Sequence, residues 1–182
     1  MTTTLIIGGA RSGKSAHAEA LAAGSGKRVV YIATAQPTDA EMAARIAHHQ
    51  ERRKAGWLTI EEPIALAAAI TRHSSKDTVV LIDCLTVWLS NLLFAEHGKF
   101  PDIGPIEAPA CVERECRDFL QALQHAAGDV IIVSNEVGQG IVPQGAIARW
   151  FVDEAGRLNQ SVAAQCDRAI LVVAGLPMVL KG

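Results

Sequence analysis

Short apolar runs alternate along the chain with longer stretches of mixed character. Leu5-Ile6-Ile7, Val29 to Ala33, Val79 to Ile82, Val130 to Val133 and Ala169 to Ala174 are rich in β-branched residues, the pattern of strands buried on both faces. Between them, Ser15 to Ala23, Asp39 to Lys54, Ile64 to Thr71, Val87 to Ala95, Cys111 to His125 and Gly145 to Gln165 have the composition of helices. This alternation predicts an α/β fold, a mostly parallel sheet with helices on both faces. The end of the chain departs from it. Ala169 to Ala174, Gly175-Leu176-Pro177 and Met178 to Leu180 predict a strand, a turn and a strand, which is an antiparallel edge hairpin. His97 to Pro109, with two glycines, three prolines and little periodicity, predicts an exposed loop outside the core.

Length and charge narrow the class. At 182 residues the chain suits one domain, and 49% hydrophobic with 20% charged residues is the balance of a globular core. Seventeen basic against nineteen acidic residues leave a net charge of -2, which argues against a nucleic-acid footprint or a polybasic membrane contact. Cys84, Cys111, Cys116 and Cys166 form no C-x-x-C pair, so free thiols in the cytoplasm are expected. The first apolar run is too short for a signal-peptide core. The longest nearly uncharged stretch, Val79 to Ala95, contains Asp83 and the turn-prone pair Ser90-Asn91, so it reads as a strand and a helix in a soluble protein, with no membrane span.

The chemistry begins at Gly8-Gly9-Ala10-Arg11-Ser12-Gly13-Lys14-Ser15, which satisfies G-x-x-x-x-G-K-[ST] between an apolar strand and a helix. In such a loop the backbone N–H groups converge on phosphate oxygens at a helix N-terminus. Lys14 supplies charge to the β and γ phosphates, and Ser15 is a ligand for Mg²⁺. A nucleoside triphosphate is implied, and residues 1–182 read as one P-loop nucleotide-binding domain. The partner acid is expected at the end of an apolar strand, and Val79-Val80-Leu81-Ile82-Asp83 has that form, making Asp83 the second metal-holding candidate.

Thr38-Asp39-Ala40-Glu41 is a capping-box pattern that starts a helix running toward Lys54. On it Glu41, Arg45, His48 and Arg52 share one side, while Met42 and Ile46 point another way. His48, with arginines at i-3 and i+4, reads either as part of a solvated face or as a nucleophile toward phosphorus with guanidinium groups to hold the phosphates. His49, on the face toward Met42, reads from its position as a packed or hydrogen-bonded residue. Adjacent histidines point apart on a helix, which disfavours a metal site there.

Taken together, GGARSGKS at Gly8 to Ser15, Tyr31-Ile32-Ala33-Thr34-Ala35-Gln36, Asp39 to Met42 with Arg45 to His49, and Leu81-Ile82-Asp83-Cys84-Leu85-Thr86 resemble the bifunctional adenosylcobinamide kinase and adenosylcobinamide-phosphate guanylyltransferase family. Ser134 to Pro143, and Asp153 with Gly156-Arg157 and Asn159-Gln160, extend the resemblance over nearly the whole chain. The resemblance implies a RecA-like P-loop fold and a homo-oligomer that takes adenosylcobinamide, GTP and ATP with Mg²⁺. It also implies phosphorylation of the aminopropanol hydroxyl, then transfer of GMP through a histidine matching His48 to give adenosylcobinamide-GDP and pyrophosphate. Nucleotide contacts are implied at Thr34, Ala35, Gln36, His49, Gln50, Glu51, Arg52 and Asp83, and at either Glu61 or Glu62. Lys54 departs from a proline frequent in the family, which bears on the helix end.

Three other readings compete, one of them a nucleotide-binding subunit of a larger assembly, which predicts an exposed apolar partner face. A regulatory GTPase predicts a guanine-specific N-K-x-D, which the chain lacks, and Asp153-Glu154-Ala155-Gly156 matches D-x-x-G only within a helical stretch. A small-molecule kinase using the P-loop alone predicts no covalent nucleotide on the protein. Asn135-Glu136 follows a predicted strand at the end where ligands of open α/β sheets gather, and reads either as facing substrate or as a loop satisfying its own backbone. Trp57, Trp88 and Trp150 read as core.

Overall fold

The computed structural model describes residues 1–37, 56–95 and 99–182. Its strands are β1 (Thr3–Gly8), β2 (Arg28–Ala33), β3 (Leu58–Glu61), β4 (Thr78–Asp83), β5 (Asp129–Asn135), β6 (Arg168–Val173) and β7 (Leu176–Lys181). The helices among the described residues are α1 (Lys14–Gly24), α2 (Leu66–His73), α3 (Leu85–Phe94), α4 (Ala110–Gln124) and α5 (Ala146–Gln165). The strands form one seven-stranded sheet in the order β3-β2-β4-β5-β1-β6-β7, parallel except for β7, which runs antiparallel to β6. The expected architecture is therefore present. The helix expected over Asp39 to Lys54 lies outside the described residues.

The continuous apolar character of the central strands follows from burial on both sides. One face, with Leu5, Val30, Ile32, Val80, Ile82, Val130 and Ile132, packs against α2, α3, α4 and α5. The opposite face, with Ile6, Tyr31, Val79, Leu81, Ile131, Val133, Ile170 and Val172, receives Ala18 and Ala22 of α1. Alanine on that face of α1 lets the helix lie close to the sheet, which brings its N-terminus to the carboxyl end of β1.

Two local readings are corrected. β3 was not anticipated, because Leu58-Thr59-Ile60-Glu61 is a short and largely exposed edge strand with no apolar run, formed by pairing with β2. The hairpin turn is Ala174-Gly175, both at positive φ (51° and 80°), so Leu176 and Pro177 belong to β7 and pair with Val173 and Val172. Pro177 is tolerated there because β7 is the edge strand. The helix expected over Val87 to Ala95 is α3, which runs through the turn-prone pair Ser90-Asn91 to Phe94. The loop expectation holds over residues 99–109, which contain no helix or strand and no buried residue; the Asp102 carbonyl accepts the Ala146 N–H at the start of α5. No helix among the described residues is long and apolar enough to cross a membrane.

Candidate nucleotide site

The glycine-rich loop joins β1 to α1 as a closed hollow. Gly9 contributes its carbonyl to two donors, the Ser12 N–H at 3.2 Å and the Lys14 ammonium at 3.0 Å, so the lysine side chain arches back over the loop. Two glycines are required for different reasons. Gly13 sits at φ 97°, a conformation that a side chain disfavours. Gly8 has no room for a Cβ, which would lie 2.5 Å from the Val172 carbonyl oxygen of the neighbouring strand. α1 begins at Lys14, so its unpaired N–H groups and the positive end of its dipole face the same hollow.

Lys14 is only 8% exposed. Burial lowers its pKa from the ordinary lysine value, and the nearby Cys84 and Asp83 offset this only in part. An ammonium whose one hydrogen-bonding partner among the described residues is a neutral carbonyl is under-compensated, and a polyphosphate beside it would relieve that cost. Ser15 stands in the first turn of α1, half-buried.

Asp83 ends β4, two strands across from the loop, with β5 between them. Its Oδ2 accepts the Tyr31 hydroxyl at 2.9 Å, which orients the carboxylate. Cys84, joined to Asp83 by a cis peptide, is buried, and desolvation followed by the charge of Asp83 raises its thiol pKa. Among the described residues no group of three His, Cys, Asp or Glu side chains converges as a metal cluster. A divalent ion here would therefore be held by few protein ligands and would complete its shell from phosphate oxygens and water, the usual habit of magnesium. Ser15 and Asp83 suit that role as hard oxygen donors.

Thr34 follows β2 and is fully engaged within the protein. Its hydroxyl donates to the Cys84 carbonyl at 2.9 Å and accepts the Cys84 N–H at 2.8 Å, its N–H donates to the Asp83 carbonyl, and its carbonyl accepts from Asn91 Nδ2 at 2.7 Å. It ties β2 to the end of β4, and Ala35 and the exposed Gln36 extend beyond it. The Glu61 and Glu62 pair is divided by the fold. Glu62 Oε1 accepts the N–H groups of Ile64 and Ala65, organising the approach to α2, while Glu61 ends β3 exposed.

Asn135 pairs in register with Gly8, and its Nδ2 donates to Thr86 Oγ1 at 2.6 Å. Its carbonyl accepts from the buried Asn159 at 3.1 Å. Glu136 Oε1 accepts its own loop's Gly138 N–H, which is the self-satisfied alternative for that residue. Trp88 is fully buried, as expected; Trp57 stacks on Tyr31 with ring centroids 6.4 Å apart, and Trp150 packs half-buried against the core.

The structure thus brings Gly8 to Ser15, Thr34, Ala35, Gln36 and Asp83 to the carboxyl edge of the sheet. Arg45, His48, His49, Gln50, Glu51 and Arg52 lie outside the described residues. Sequence reasoning assigned no role to Tyr31, Thr86 or Asn91, which orient this edge. Their signal was present only as polar residues inside apolar elements.

Known proteins agree with the geometry. Residues 4–180 match the family model described as cobinamide kinase / cobinamide phosphate guanyltransferase. The chain is 49% identical to the bifunctional adenosylcobalamin biosynthesis protein CobP of Pseudomonas aeruginosa, over 98% of this chain and 96% of that protein. It is 44% identical to the corresponding CobU of Salmonella typhimurium, over 97% of this chain and 98% of that one. At the level of fold alone, it superposes on a type III secretion ATPase of pathogenic bacteria with a TM-score of 0.56 at 12% identity, covering 98% of this chain and 56% of the ATPase. The archaeal flagellar accessory protein FlaH of Methanocaldococcus jannaschii gives 0.52 at 12% identity, over 99% of this chain and 78% of FlaH. With a P-loop α/β sheet, these residues at its carboxyl edge and a match over residues 4–180, the chain belongs to the cobinamide kinase / cobinamide phosphate guanyltransferase family.

Proposed function

We propose that this chain carries out two successive transfers in adenosylcobalamin assembly. In the first, the aminopropanol hydroxyl of adenosylcobinamide attacks the γ-phosphorus of ATP or GTP, the bond to the β–γ bridging oxygen breaks, and the hydroxyl proton leaves to solvent. In the second, a ring nitrogen of His48 attacks the α-phosphorus of GTP and pyrophosphate departs. A phosphate oxygen of adenosylcobinamide phosphate then displaces the imidazole, giving adenosylcobinamide-GDP and free His48. The observation that carries this reading is the buried Lys14 ammonium closing the glycine-rich hollow on Gly9, in a chain of this family.

The roles follow from chemistry. Lys14 and the loop N–H groups hold the β and γ phosphates and stabilise the charge that develops as the bridging bond breaks. Ser15 and Asp83 would hold Mg²⁺, which neutralises phosphate charge when bound. Arg45 and Arg52 flank His48 and would grip the triphosphate of the guanylyl donor. Ala35, Gln36, His49, Gln50, Glu51 and Glu61 would contact the nucleotide. Glu61 is assigned over Glu62 because the Glu62 carboxylate is already bonded to backbone N–H groups. Thr34 would act by positioning, since its polar groups are engaged with Cys84, Asp83 and Asn91. A cytoplasmic homo-oligomer completes the proposal. It is supported by the free cysteines and by the exposed Leu176, Met178, Val179 and Leu180 of β7.

The decisive experiment incubates the protein with magnesium and GTP labelled at the α-phosphate, beside His48→Ala. A phosphoramidate is labile in acid and stable in base. Acid-labile label on the native chain and none on the variant is the expected result. No label on either, with both folded and binding GTP, would remove the guanylyl step and leave a P-loop kinase.

A further inference from the structure

The phosphate loop leans on an element that contributes none of its own residues. β6 pairs with β1 from Thr4 opposite Arg168 to Ile7 opposite Leu171, and the hairpin then continues past β1 so that its turn comes level with the loop. There the Gly175 N–H donates to the Ser12 carbonyl at 2.8 Å, and a Cβ on Gly13 would lie 3.1 Å from Gly175 Cα. Three residues earlier, the buried Val172 fills the space beneath Gly8 with its carbonyl. The loop is therefore in contact with β6 at Gly8 and with the turn at Ser12-Gly13.

We infer that the Ala174-Gly175 turn fixes the orientation of the Ser12–Gly13 peptide and so aims the Gly13 N–H at bound phosphate, with Gly175 as a positioning residue. A trans peptide is planar, and its carbonyl and N–H point to opposite sides. With the Ser12 carbonyl held on the hairpin side, the Gly13 N–H is directed away from the hairpin, toward the hollow that Lys14 spans. The reversed peptide would present a carbonyl oxygen to phosphate oxygens and repel them. Among the described residues nothing lies within 4 Å of the place a Gly175 Cβ would take, so the requirement at this position is its φ of 80° and its N–H, not space. The inference rests on the nucleotide-binding part of the proposed function and is independent of His48.

Gly175→Asn, Gly175→Ala and Gly175→Pro separate these requirements. Asparagine keeps the N–H and accepts positive φ readily, alanine keeps the N–H but disfavours that φ, and proline lacks the N–H and is held at a φ of about −65°. Calorimetric titration with inorganic tripolyphosphate and with GTP, both with magnesium, is expected to give Gly175→Asn within about two-fold of native affinity. Gly175→Pro is expected to bind both probes about ten-fold more weakly, the loss of one well-made hydrogen bond, with alanine between. Equal affinities across the folded series would overturn the inference, as would an equal loss in the asparagine and proline variants. Where the proline variant does not fold, the alanine and asparagine pair decides: weaker binding by alanine upholds the inference and equal binding refutes it. A merely structural turn would lower thermal stability without moving either affinity. The tripolyphosphate arm reads the loop directly, so it stands or falls apart from the guanylyl step.

Discussion

Lys14 is the residue at which charge and burial conflict most directly, and the conflict has a pH signature. Desolvation lowers its pKa in the free protein, whereas a bound triphosphate favours the charged form and raises it. The group is thus more basic in the complex than in the free protein. Its contribution to affinity is complete below the free-protein pKa and is lost as pH rises through the pKa of the complex. The Lys14 contribution to GTP affinity is expected to be level below the free-protein pKa and to weaken as pH rises past it. Lys14→Met is expected to bind roughly 10- to 100-fold more weakly, the worth of a hydrogen bond to a charged group, and to lose that alkaline slope. Titration of binding against pH for both proteins checks this. Lys14 was legible from its motif because the spacing of glycine, lysine and hydroxyl encodes a local turn. That Gly8 is also pinned beneath by Val172 was not legible, since the two are brought together only by pairing of β1 with β6.

Among the elements, α3 is the one whose function differs most from its pattern. The sequence places Asn91 inside a helix and gives it no role, yet there it reaches across to two loops, donating to the Thr34 carbonyl at 2.7 Å and the Pro63 carbonyl at 3.1 Å. It joins the strand end carrying Thr34 to the approach to α2. Asn91→Leu fits a helix but leaves two carbonyls without this donor. It is expected to cost about 1–3 kcal/mol of stability by denaturant unfolding. It is also expected to raise KM for the nucleotide more than it lowers kcat, because the rim beyond Thr34 loosens while Lys14 and Asp83 stay in place. Local helix propensity could not reveal this, since the partners of Asn91 lie 57 and 28 residues away in the chain.

Over the whole molecule, the sheet order places β5 between the strand that leads into the glycine-rich loop and the strand that ends in Asp83, so lysine and carboxylate face one edge without pairing with each other. The core that holds this arrangement centres on Trp88, fully buried, packed 5.2 Å from Phe119 by ring centroids, with its indole N–H donating to the Ile64 carbonyl at 2.7 Å. Trp88→Ala is expected to lower unfolding free energy by about 3–5 kcal/mol, and saturating GTP to recover part of it, as thermal melts with and without nucleotide would record. The sequence by itself determined the strands that lie inside the sheet, the described helices that cover them, the glycine-rich loop, the place of Asp83 at a strand end, and the family. Each is written in contiguous residues whose period or spacing is local. The tertiary structure alone decided the edge strand β3, the engagement of Thr34 by Cys84 and Asn91, the bonding of Glu62 to the approach to α2 while Glu61 stays exposed, and the contact of Gly175 with the loop. These are pairings between segments distant in the chain, made by polar groups and short exposed backbone whose partners no local pattern names.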